Sequence, residues 1–418
     1  VILFEQPVPE HVIIPTNAIP VADLTAKQSK IASRFFDAPS EAMSVVGVTG
    51  TNGKTSTVQM MAQAMSKLGK TAGTIGTLGI GLYGQLSAGE RTTPDVIAVQ
   101  KALADMRDAG AQFVAMEVSS HALEQGRVDG VAFKTAVFSN LTLDHLDYHG
   151  TMQAYFEAKA KLFAWPTLQH AVLNVDDSYG AVLVEKLTDK MHVIVTSSRH
   201  HQQANLTATD IHLSLSGIGF DLHFEGQSIR IQSSLLGRFN VDNLLAVAGV
   251  LLVHDLKLEE VARLISQLSP VDGRMNRFGG FAGKPLVVVD YAHTPDALEQ
   301  VLITLRAHSE AQLICVFGCG GDRDRSKRPL MAASAEQWAD VVFVTDDNPR
   351  SESGDLIVAE ICAGFELLEK AHIERNRREA IKQAIAKAGP ADIVLIAGKG
   401  HETYQEINGV KSPFDDSA

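Results

Sequence analysis

The chain has 418 residues, and its 49 acidic against 37 basic side chains give a net charge of -12. This excess of negative charge argues against a general affinity for nucleic acid or anionic lipid, so any bound phosphate must be held by a local site. The most apolar stretch, Leu244 to Val253, is about half of the ~20 residues that a membrane-spanning helix requires. We expect a buried core helix there. The three cysteines are too few for a disulfide framework, and with no evident signal segment a cytoplasmic location is expected.

Short Val- and Ile-rich runs alternate with helical stretches from Met43 onward. We predict a helix that begins at Lys54 and strands over residues 44–48, 113–118 and 135–138. Alternation of this kind indicates a parallel sheet covered by helices.

The pattern changes twice further along the chain. Residues 205–233 alternate in the manner of strands, with turns expected at Gly217 and Gly226, which predicts an antiparallel flap. The strand and helix alternation then resumes, with strands predicted over residues 286–290, 312–317, 341–345 and 393–397. The domain limits predicted from these changes are residues 1–40, 41–272 and 273–418.

A glycine-rich turn follows the first predicted strand and leads into an amphipathic helix. Its candidate nucleotide-binding residues are Gly50, Thr51, Asn52, Gly53, Lys54, Thr55 and Ser56. The backbone N–H groups and the helix dipole of such a turn can hold phosphate oxygens. Lys54 would reach the β- and γ-phosphates, and the Thr55 hydroxyl would contact magnesium. The alternative is an ordinary glycine turn capped by a threonine, which the flanking strand and helix disfavour.

Polar residues follow two predicted strands, where ligands of open α/β sheets bind. Glu117 to His121 follow one strand, and Asn140 to His149 follow the other. Glu117 is a natural magnesium partner, with Asp144 as a possible competitor, because hard cations prefer oxygen ligands. The alternative is helix capping together with histidines satisfied in the core. Lys159 and Lys161 lie on a predicted helix, and from the residues alone we expect both to be solvated.

Taken together, these segments resemble the Mur ligase family from about Pro39 onward. The resemblance rests on the phosphate loop and on the motifs Glu117–His121, Asp144–His145, Asn240–Asn243, Gly273–Met275 and Asp290–Asp296. It implies an α/β fold with a central parallel-sheet, P-loop-type ATPase domain bearing the antiparallel flap. It also implies a C-terminal Rossmann-like domain and an N-terminal domain that binds a uridine nucleotide.

The resemblance implies further roles for individual residues. Lys159 is expected to be carbamylated, and two Mg²⁺ ions are expected beside ATP. The catalytic residues implied are Lys54, Glu117, His145 and Lys159, with Thr55, Glu117, His145 and Lys159 as metal ligands. Asn243, Arg274 and His293 are expected to face ATP. The implied binding residues for the UDP-muramoyl dipeptide are Thr92, Thr93, Ser119, Gln125, Arg127 and Lys159. Arg91 stands where relatives often carry asparagine, so its contact with that substrate stays open.

The ends of the chain depart from the family. Residues 1–40 resemble only the last part of the uridine-binding domain, and the chain stops at Ala418 where relatives continue into another helix. The N-terminal uridine-binding domain is therefore expected to be incomplete, with weak binding of the uridine substrate in this form.

The segment Asp346–Arg350 resembles the signature of the family members that add meso-diaminopimelate. That amino acid carries a second amino-acid head, and a guanidinium on a rigid turn can hold its extra carboxylate bidentately. Asp347 and Asn348 could receive the extra ammonium. The diaminopimelate-binding residues implied in full are Arg323, Asp347, Asn348, Pro349, Arg350, Gly398 and Glu402. From the residues alone, a plain turn after a strand is the alternative, because Asp-Asn-Pro is a strong turn sequence.

The implied reaction joins meso-diaminopimelate to UDP-N-acetylmuramoyl-L-Ala-D-Glu through an acyl phosphate, by positioning and charge neutralisation. Two alternatives remain: a ligase of the folylpolyglutamate synthase type, and a non-catalytic nucleotide-binding relative. We expect a monomer without nucleic-acid partners or membrane insertion. Cys315 and Cys319 are expected to be core thiols.

Overall fold

The computed structural model describes residues 2–9, 11–89, 91–187, 190–271 and 273–418. The chain divides into two compact units. The first unit consists of residues 1–209, 222–229 and 242–265, and the second of residues 210–221, 230–241 and 266–418. The predicted limits at residues 40 and 272 stay predictions, and Asp272 itself lies outside the described residues.

An eleven-stranded sheet is the largest sheet in the described part of the chain. It is preceded by a short parallel pair, β1 (Ile2–Phe4) and β2 (Ala18–Pro20). The strands of the large sheet are β3 (Ser44–Thr49), β4 (Ala72–Gly76), β5 (Gly79–Leu82), β6 (Gln85–Ser87), β7 (Phe113–Glu117), β8 (Phe133–Phe138), β9 (His170–Asn174), β10 (His192–Ser197), β11 (Leu206–Ser214), β12 (Gly217–Phe224) and β13 (Gln227–Ser233). Their spatial order is β13-β12-β11-β10-β9-β8-β3-β7-β4-β5-β6.

The centre of this sheet is parallel, as predicted. β3 pairs in parallel with both β7 and β8, and all five residues of β7 are buried. Strands covered on both faces carry continuous apolar runs, which explains why these Val-rich segments were predictable. β4, β5 and β6 continue the sheet, and the last two strands run antiparallel. β11, β12 and β13 are neighbours joined by two-residue connections, so they form hairpins that match the predicted flap.

Helices separate the parallel strands. Up to residue 266 they are α1 (Leu24–Phe35), α2 (Lys54–Lys67), α3 (Val96–Asp108), α4 (Ser120–Glu124), α5 (Leu146–His149), α6 (Met152–Ala160), α7 (Ser178–Leu187), α8 (Phe239–Leu252) and α9 (Leu258–Ser266), with short 3-10 turns at Pro39–Ala42 and Lys161–Ala164. α8 contains most of the apolar stretch that we predicted to be a core helix. Among the described residues, no helix is both long and apolar enough to cross a bilayer.

The second unit contains a six-stranded sheet with the order β14-β15-β19-β16-β17-β18. Its strands are β14 (Asn276–Gly279), β15 (Leu286–Asp290), β16 (Leu313–Phe317), β17 (Val341–Val344), β18 (Ala371–Ile373) and β19 (Ile393–Ala397). Its helices are α10 (Pro295–Arg306), α11 (Lys327–Trp338), α12 (Gly354–Cys362) and α13 (Arg377–Lys387), with a 3-10 turn at Leu368–Lys370; a hairpin of β20 (Tyr404–Ile407) and β21 (Val410–Pro413) follows. Within the six-stranded sheet, all pairs are parallel except β14 with β15, which agrees with the Rossmann-like prediction.

The topology explains where this unit can bind a ligand. β19 lies between β15 and β16 although it comes last of the parallel strands in the chain. Such a change of strand order leaves a crevice at the carboxyl ends of the strands. The predicted amino-acid motifs follow β16, β17 and β19 and therefore meet at this edge. Cys315 and Cys319 are buried, as predicted for core thiols.

Candidate active site

The phosphate loop joins β3 to α2, and its conformation depends on glycine. Gly50 has φ +150°, and a Cβ atom there would lie 2.0 Å from the Ser139 hydroxyl oxygen and about 3 Å from backbone atoms of Asn140. Only glycine tolerates both the conformation and the close approach. Asn140 also holds the loop, because its side-chain oxygen accepts a hydrogen bond from Asn52 N at 2.9 Å. Ser139, which was not among the predicted site residues, donates to Asn52 O at 2.7 Å.

Lys54 forms hydrogen bonds to backbone carbonyls of its own loop in this structure. Its ammonium donates to Gly50 O at 3.0 Å and to Thr51 O at 2.8 Å. Burial lowers the pKa of Lys54, and the charge of Glu117 opposes that shift. To reach nucleotide phosphates, Lys54 must therefore exchange these two carbonyls for phosphate oxygens.

Glu117 is a buried carboxylate at the carboxyl end of β7. Its side chain accepts hydrogen bonds from Thr55 Oγ1 at 3.0 Å and from Thr77 N at 2.8 Å. Burial raises the pKa of Glu117, and the Thr77 hydrogen bond together with Lys54 acts in the opposite direction. The predicted partners Thr55 and Glu117 thus lie together, with an oxygen-rich environment that suits Mg²⁺. Thr77 was missed because it follows β4, a strand that the sequence analysis did not predict.

The expectation from the residues alone that Lys159 is solvated is wrong. Only 2% of Lys159 is exposed, and its Nζ donates to Gly50 O at 2.8 Å. It also lies 4.5 Å from the centre of the Tyr155 ring. Burial, followed by the charge of Lys54, lowers the pKa of Lys159 to about 6, so the amine is largely neutral at pH 7. Lys161 is half-exposed and pairs with Glu124, as expected of a surface lysine.

His145 lies at the start of α5 in a left-handed conformation, φ 53°. Its ring contacts the Asp144 carboxylate at 3.4 Å and lies 5.1 Å from the ring of His121 and 5.9 Å from that of Tyr155. Within the described ranges, no three His, Cys, Asp or Glu side chains form a metal cluster. Glu117 and His145 would therefore need a further ligand between them.

Five of the six residues predicted to bind the muramoyl dipeptide, all except Lys159, form one network beside Glu117. Thr93 Oγ1 donates to Glu117 O at 2.8 Å and accepts from Ser119 N at 3.1 Å. Arg127 donates to Thr93 O at 3.0 Å and to the Gln125 side chain at 2.9 Å. Thr92 contacts the Thr77 hydroxyl at 3.1 Å. Burial lowers the pKa of Arg127, with the charge of Arg91 as a second cause. Arg91, which stands where relatives often carry asparagine, therefore lies near this network.

The residues predicted to face ATP are distributed over both units. In the first unit, the Asn243 side chain accepts a hydrogen bond from Thr57 at 3.3 Å. In the second unit, His293 Nδ1 lies 2.8 Å from Tyr291 O, and Lys327 donates to His293 O at 2.7 Å. Arg274, also in the second unit, is exposed.

The predicted amino-acid loops of the second unit are linked to each other. Arg350, at φ 52°, donates to Gly321 O at 2.8 Å and lies 3.8 Å from the Glu406 carboxylate. Gly321 N donates to Asn348 O at 2.9 Å. This brings the loop after β16, which carries the exposed Arg323, against the loop after β17.

A buried arginine missed by the sequence analysis holds the same two loops. Arg328 is fully buried; it donates to Gly320 O at 3.2 Å, to Glu352 at 2.9 Å and to Glu360 at 2.6 Å. Its position inside a helix with no strand-end motif gave no signal in the sequence.

The expected role of Asn348 as an acceptor for an ammonium group needs correction. Asn348 Oδ1 already accepts hydrogen bonds from Lys399 Nζ at 3.1 Å and from Glu406 N at 2.9 Å. Both lone pairs are thus occupied, so this amide can offer a ligand only a donor. Its Nδ2 donates to Glu402 at 2.8 Å. Asp347 lies against Gly398, where a Cβ atom would be 2.7 Å from the Asp347 carboxylate.

Comparison with known proteins identifies both units. The profile of the Mur ligase middle domain matches residues 48–251, and that of the Mur ligase, glutamate ligase domain, matches residues 273–400. The chain is 57% identical over 417 residues to the UDP-N-acetylmuramoyl-L-alanyl-D-glutamate–2,6-diaminopimelate ligase of Xanthomonas campestris pv. campestris. The match covers 100% of this chain and 84% of that protein.

Two solved structures illustrate the similarity in fold. A UDP-N-acetylmuramoyl-L-alanyl-D-glutamate–2,6-diaminopimelate ligase matches with a TM-score of 0.78 at 40% identity, covering 96% of this chain and 83% of that one. The folylpolyglutamate synthase of Mycobacterium tuberculosis matches with a TM-score of 0.63 at 19% identity, covering 90% of this chain and 92% of that one. At that identity the second match shows a common fold alone.

Proposed function

Because the chain belongs to the Mur ligase family, we propose that it is the ATP-dependent ligase that adds meso-diaminopimelate to UDP-N-acetylmuramoyl-L-Ala-D-Glu in peptidoglycan precursor synthesis. The observation that carries the proposal is the phosphate loop, where the Gly50 carbonyl accepts hydrogen bonds from Lys54 and Lys159 and where Thr55 donates to Glu117, in a chain 57% identical to a ligase named for these substrates. The new amide bond would form at the γ-carboxylate of D-glutamate, after its activation as an acyl phosphate. A cytoplasmic monomer with domain limits at residues 40 and 272 is part of the same proposal.

The residues of the first unit would work by positioning and charge neutralisation. The N–H groups of residues 50–55 and the start of α2 bind phosphate oxygens. Lys54, released from the loop carbonyls, binds the phosphoryl group that is transferred. Thr93, Ser119 and Arg127 place the dipeptide carboxylate beside Glu117. No protein nucleophile is required, because the carboxylate of the substrate attacks the γ-phosphorus.

Magnesium would supply positive charge where the phosphates and the substrate carboxylate approach each other. Thr55, Glu117, His145 and Lys159 are the residues that we propose hold two ions. Glu117 fits this role, since it is a buried anion that already accepts the Thr55 hydroxyl. Lys159 fits only as a carbamate, because an ammonium would repel a cation.

The environment of Lys159 favours that modification. A lysine attacks CO₂ only as the neutral amine, and burial lowers the pKa of Lys159 to about 6. The bond forms between Nζ and the carbon of CO₂, and one proton is released. The product is an anion that lies near Lys54, whose charge would stabilise it.

In the second unit, we propose that Arg350 and Arg323 bind the distal carboxylate of diaminopimelate. Asp347 and Glu402 would receive the distal ammonium, with Gly398 leaving room for the amino-acid head. This selects diaminopimelate over lysine, which lacks the second carboxylate. Glutamate, the amino acid that a folylpolyglutamate synthase would add, has a distal carboxylate but no distal ammonium, so it would leave Asp347 and Glu402 without a partner.

The proposal is tested by the release of ADP with the muramoyl dipeptide and one amino acid at a time. We expect turnover with meso-diaminopimelate and little with lysine or glutamate. Turnover with lysine and with neither of the other amino acids would agree with a ligase but would refute diaminopimelate as its substrate. No ADP release with any amino acid, by protein that binds ATP, would favour a non-catalytic nucleotide-binding relative.

A further inference from the structure

A buried lysine lies behind the predicted amino-acid motifs of the second unit. Lys399 is fully buried, and its Nζ donates to Asn348 Oδ1 and to Glu402 Oε2, both at 3.1 Å. Asn348 follows β17, whereas Lys399 and Glu402 follow β19. One ammonium therefore ties together two loops that are distant in the sequence.

These contacts decide which atoms of Glu402 are available to a ligand. Glu402 Oε2 accepts hydrogen bonds from both Lys399 and Asn348 Nδ2. As far as the structure is described, Glu402 Oε1 accepts none, and about a fifth of the side chain is exposed. The carboxylate is thus held by one oxygen and presents the other.

Asp347 is the second available acceptor in this cluster. It is 8% exposed, and its carboxylate accepts no hydrogen bond from the residues that the structure describes. Burial raises the pKa of Asp347; the charges of Arg377 and Lys399 oppose this shift, and those of Glu402 and Asp416 add to it. A ligand cation beside Asp347 would therefore stabilise the charged form of its carboxylate.

The cluster formed by Asp347, Arg377, Lys399, Glu402 and Asp416 contains three negative and two positive charges. Arg377 and Asp416 form an ion pair, with both side chains fully buried and N–O distances of 2.7 and 2.6 Å. Lys399 forms an ion pair with Glu402. Among the described residues no cation forms an ion pair with Asp347, on which Arg377 and Lys399 act only through their charge. One negative charge is left over, and a ligand ammonium would match it.

We propose that Lys399 is a positioning residue that fixes Glu402 and Asn348 so that Glu402 and Asp347 receive the distal ammonium group of the amino-acid substrate. This inference rests on the proposed function, because it requires a substrate with a second ammonium. Lys399 acts through its two partners and does not touch the substrate.

Two opposite effects of removing Lys399 can be distinguished. If Lys399 only offset negative charge, its removal would strengthen the binding of an ammonium group. If it positions the acceptors, its removal frees Glu402 and Asn348 to move out of the arrangement that receives the ammonium group. Ammonium binding is then weakened, and this is the outcome that we expect.

The test compares Lys399→Met with the parent on three amino acids. Diaminopimelate has both distal groups, 2-aminopimelate lacks the distal amine, and lysine lacks the distal carboxylate. We expect the KM for diaminopimelate to rise roughly 10- to 100-fold with a smaller change in kcat. The preference for diaminopimelate over 2-aminopimelate should fall by about tenfold or more, while the KM for ATP stays unchanged.

The matched control is Lys411→Met, which removes an exposed lysine on β21 that lies 4.3 Å from the Tyr404 ring. It should behave as the parent does. Lys399→Gln keeps an N–H donor without the charge and should recover part of the preference. Failure of both Lys399 variants to fold would assign this lysine to stability and overturn the proposal.

The outcomes separate this inference from the proposed function. If the parent releases no ADP with diaminopimelate, the proposed function fails. If the parent uses diaminopimelate and Lys399→Met keeps or increases its preference over 2-aminopimelate, only the role of Lys399 is refuted.

Discussion

Lys159 is the residue whose chemistry depends most on its surroundings. Its amine is buried, binds Gly50 O and has a pKa lowered to about 6. We predict that activity falls about 10²-fold or more in Lys159→Ala, because a carbamate that helps to hold magnesium is lost. Steady-state ADP release measures the effect, with the exposed Lys161→Ala as the control.

Bicarbonate provides the second arm of this test. Depletion of bicarbonate should lower the activity of the parent, and its return should restore it. The alanine variant should respond to neither change. Full activity of a protein shown by mass spectrometry to carry an unmodified Lys159 would contradict the carbamate.

Lys159 also illustrates what individual residues reveal before a structure is available. Its spacing on a helix gave no reason to expect burial, and only the resemblance to a family assigned it a role. Burial arises because β3, the phosphate loop and α6 converge, which is a property of tertiary packing. Lys54 was predictable from its own loop, since a local turn determines its position.

Arg350 carries the predicted selection of diaminopimelate. If its guanidinium binds the distal carboxylate in a partly dry site, the hydrogen bonds contribute roughly 1.5–3 kcal/mol. Arg350→Ala should therefore lower kcat/KM for diaminopimelate about 10- to 150-fold and leave the KM for ATP nearly unchanged. Arg350→Lys should recover little, because an ammonium cannot reproduce the two-pronged geometry.

The exposed Arg378→Ala, in the same unit, controls for the loss of one positive charge. Steady-state kinetics of the parent and the variants, with diaminopimelate and lysine compared side by side, measure the effect. Undiminished use of diaminopimelate by Arg350→Ala would remove this residue from the amino-acid site.

At the scale of single elements, the phosphate loop gives a prediction about backbone geometry. Alanine at Gly50 would combine a φ of +150° with a Cβ atom 2.0 Å from the Ser139 hydroxyl. The loop must shift, so we expect Gly50→Ala to raise the KM for ATP or lower kcat by at least about tenfold, with a strain of roughly 1–3 kcal/mol.

The control is Gly69→Ala, at the end of α2. Gly69 also has positive φ, +75°, but a Cβ atom there meets nothing within 4 Å. It shares the unfavourable backbone conformation without the collision. Equal kinetics of the two variants would show that the close approach at Gly50 is unimportant for nucleotide binding.

Elements with strong local patterns were predictable, whereas those defined by their neighbours were not. The central strands β3, β7 and β8 carry apolar runs that a doubly covered sheet requires. β6 and β14 are short edge strands, and β5 lies next to an edge; all three are rich in glycine or polar residues and have no strong strand pattern of their own. The same holds for the site residues. Glu117 was predicted because it ends a predicted strand, whereas Thr77 was missed because the strand before it was not predicted.

At the scale of the whole molecule, alternation of strands and helices predicted two α/β sheets, and both are present. The strand order was not predictable. β19 lies between β15 and β16 although it is the last of the parallel strands in the chain, and only tertiary packing sets this order. The buried charges Arg328, Arg377 and Lys399 were missed for the same reason, since a charged residue gives no sign of burial in a sequence.

Buried histidines give the molecule a dependence of stability on pH. His254 contacts Ser44 at 3.4 Å and the Phe113 ring at 5.6 Å. Burial, followed by the positive charge of Lys70, lowers the pKa of His254 from 6.5 to about 4. Between these two pH values the unfolded chain binds a proton that the folded chain does not. Stability is therefore complete above about pH 6.5 and falls as the pH falls towards 4.

We predict that His254 alone lowers the free energy of unfolding by on the order of 1–2 kcal/mol between pH 7 and pH 5. His254→Phe keeps an aromatic ring beside Phe113 but cannot titrate, so its stability should depend less on pH by that amount. Urea unfolding of both proteins in a Trp338→Phe background isolates the first unit, because Trp165 is then the only tryptophan. Histidines with lowered pKa values that do not act on His254, such as His149, remain in both proteins and cancel in the comparison. An identical loss of stability at pH 5 in both proteins would mean that His254 is charged in the folded state or accessible to water.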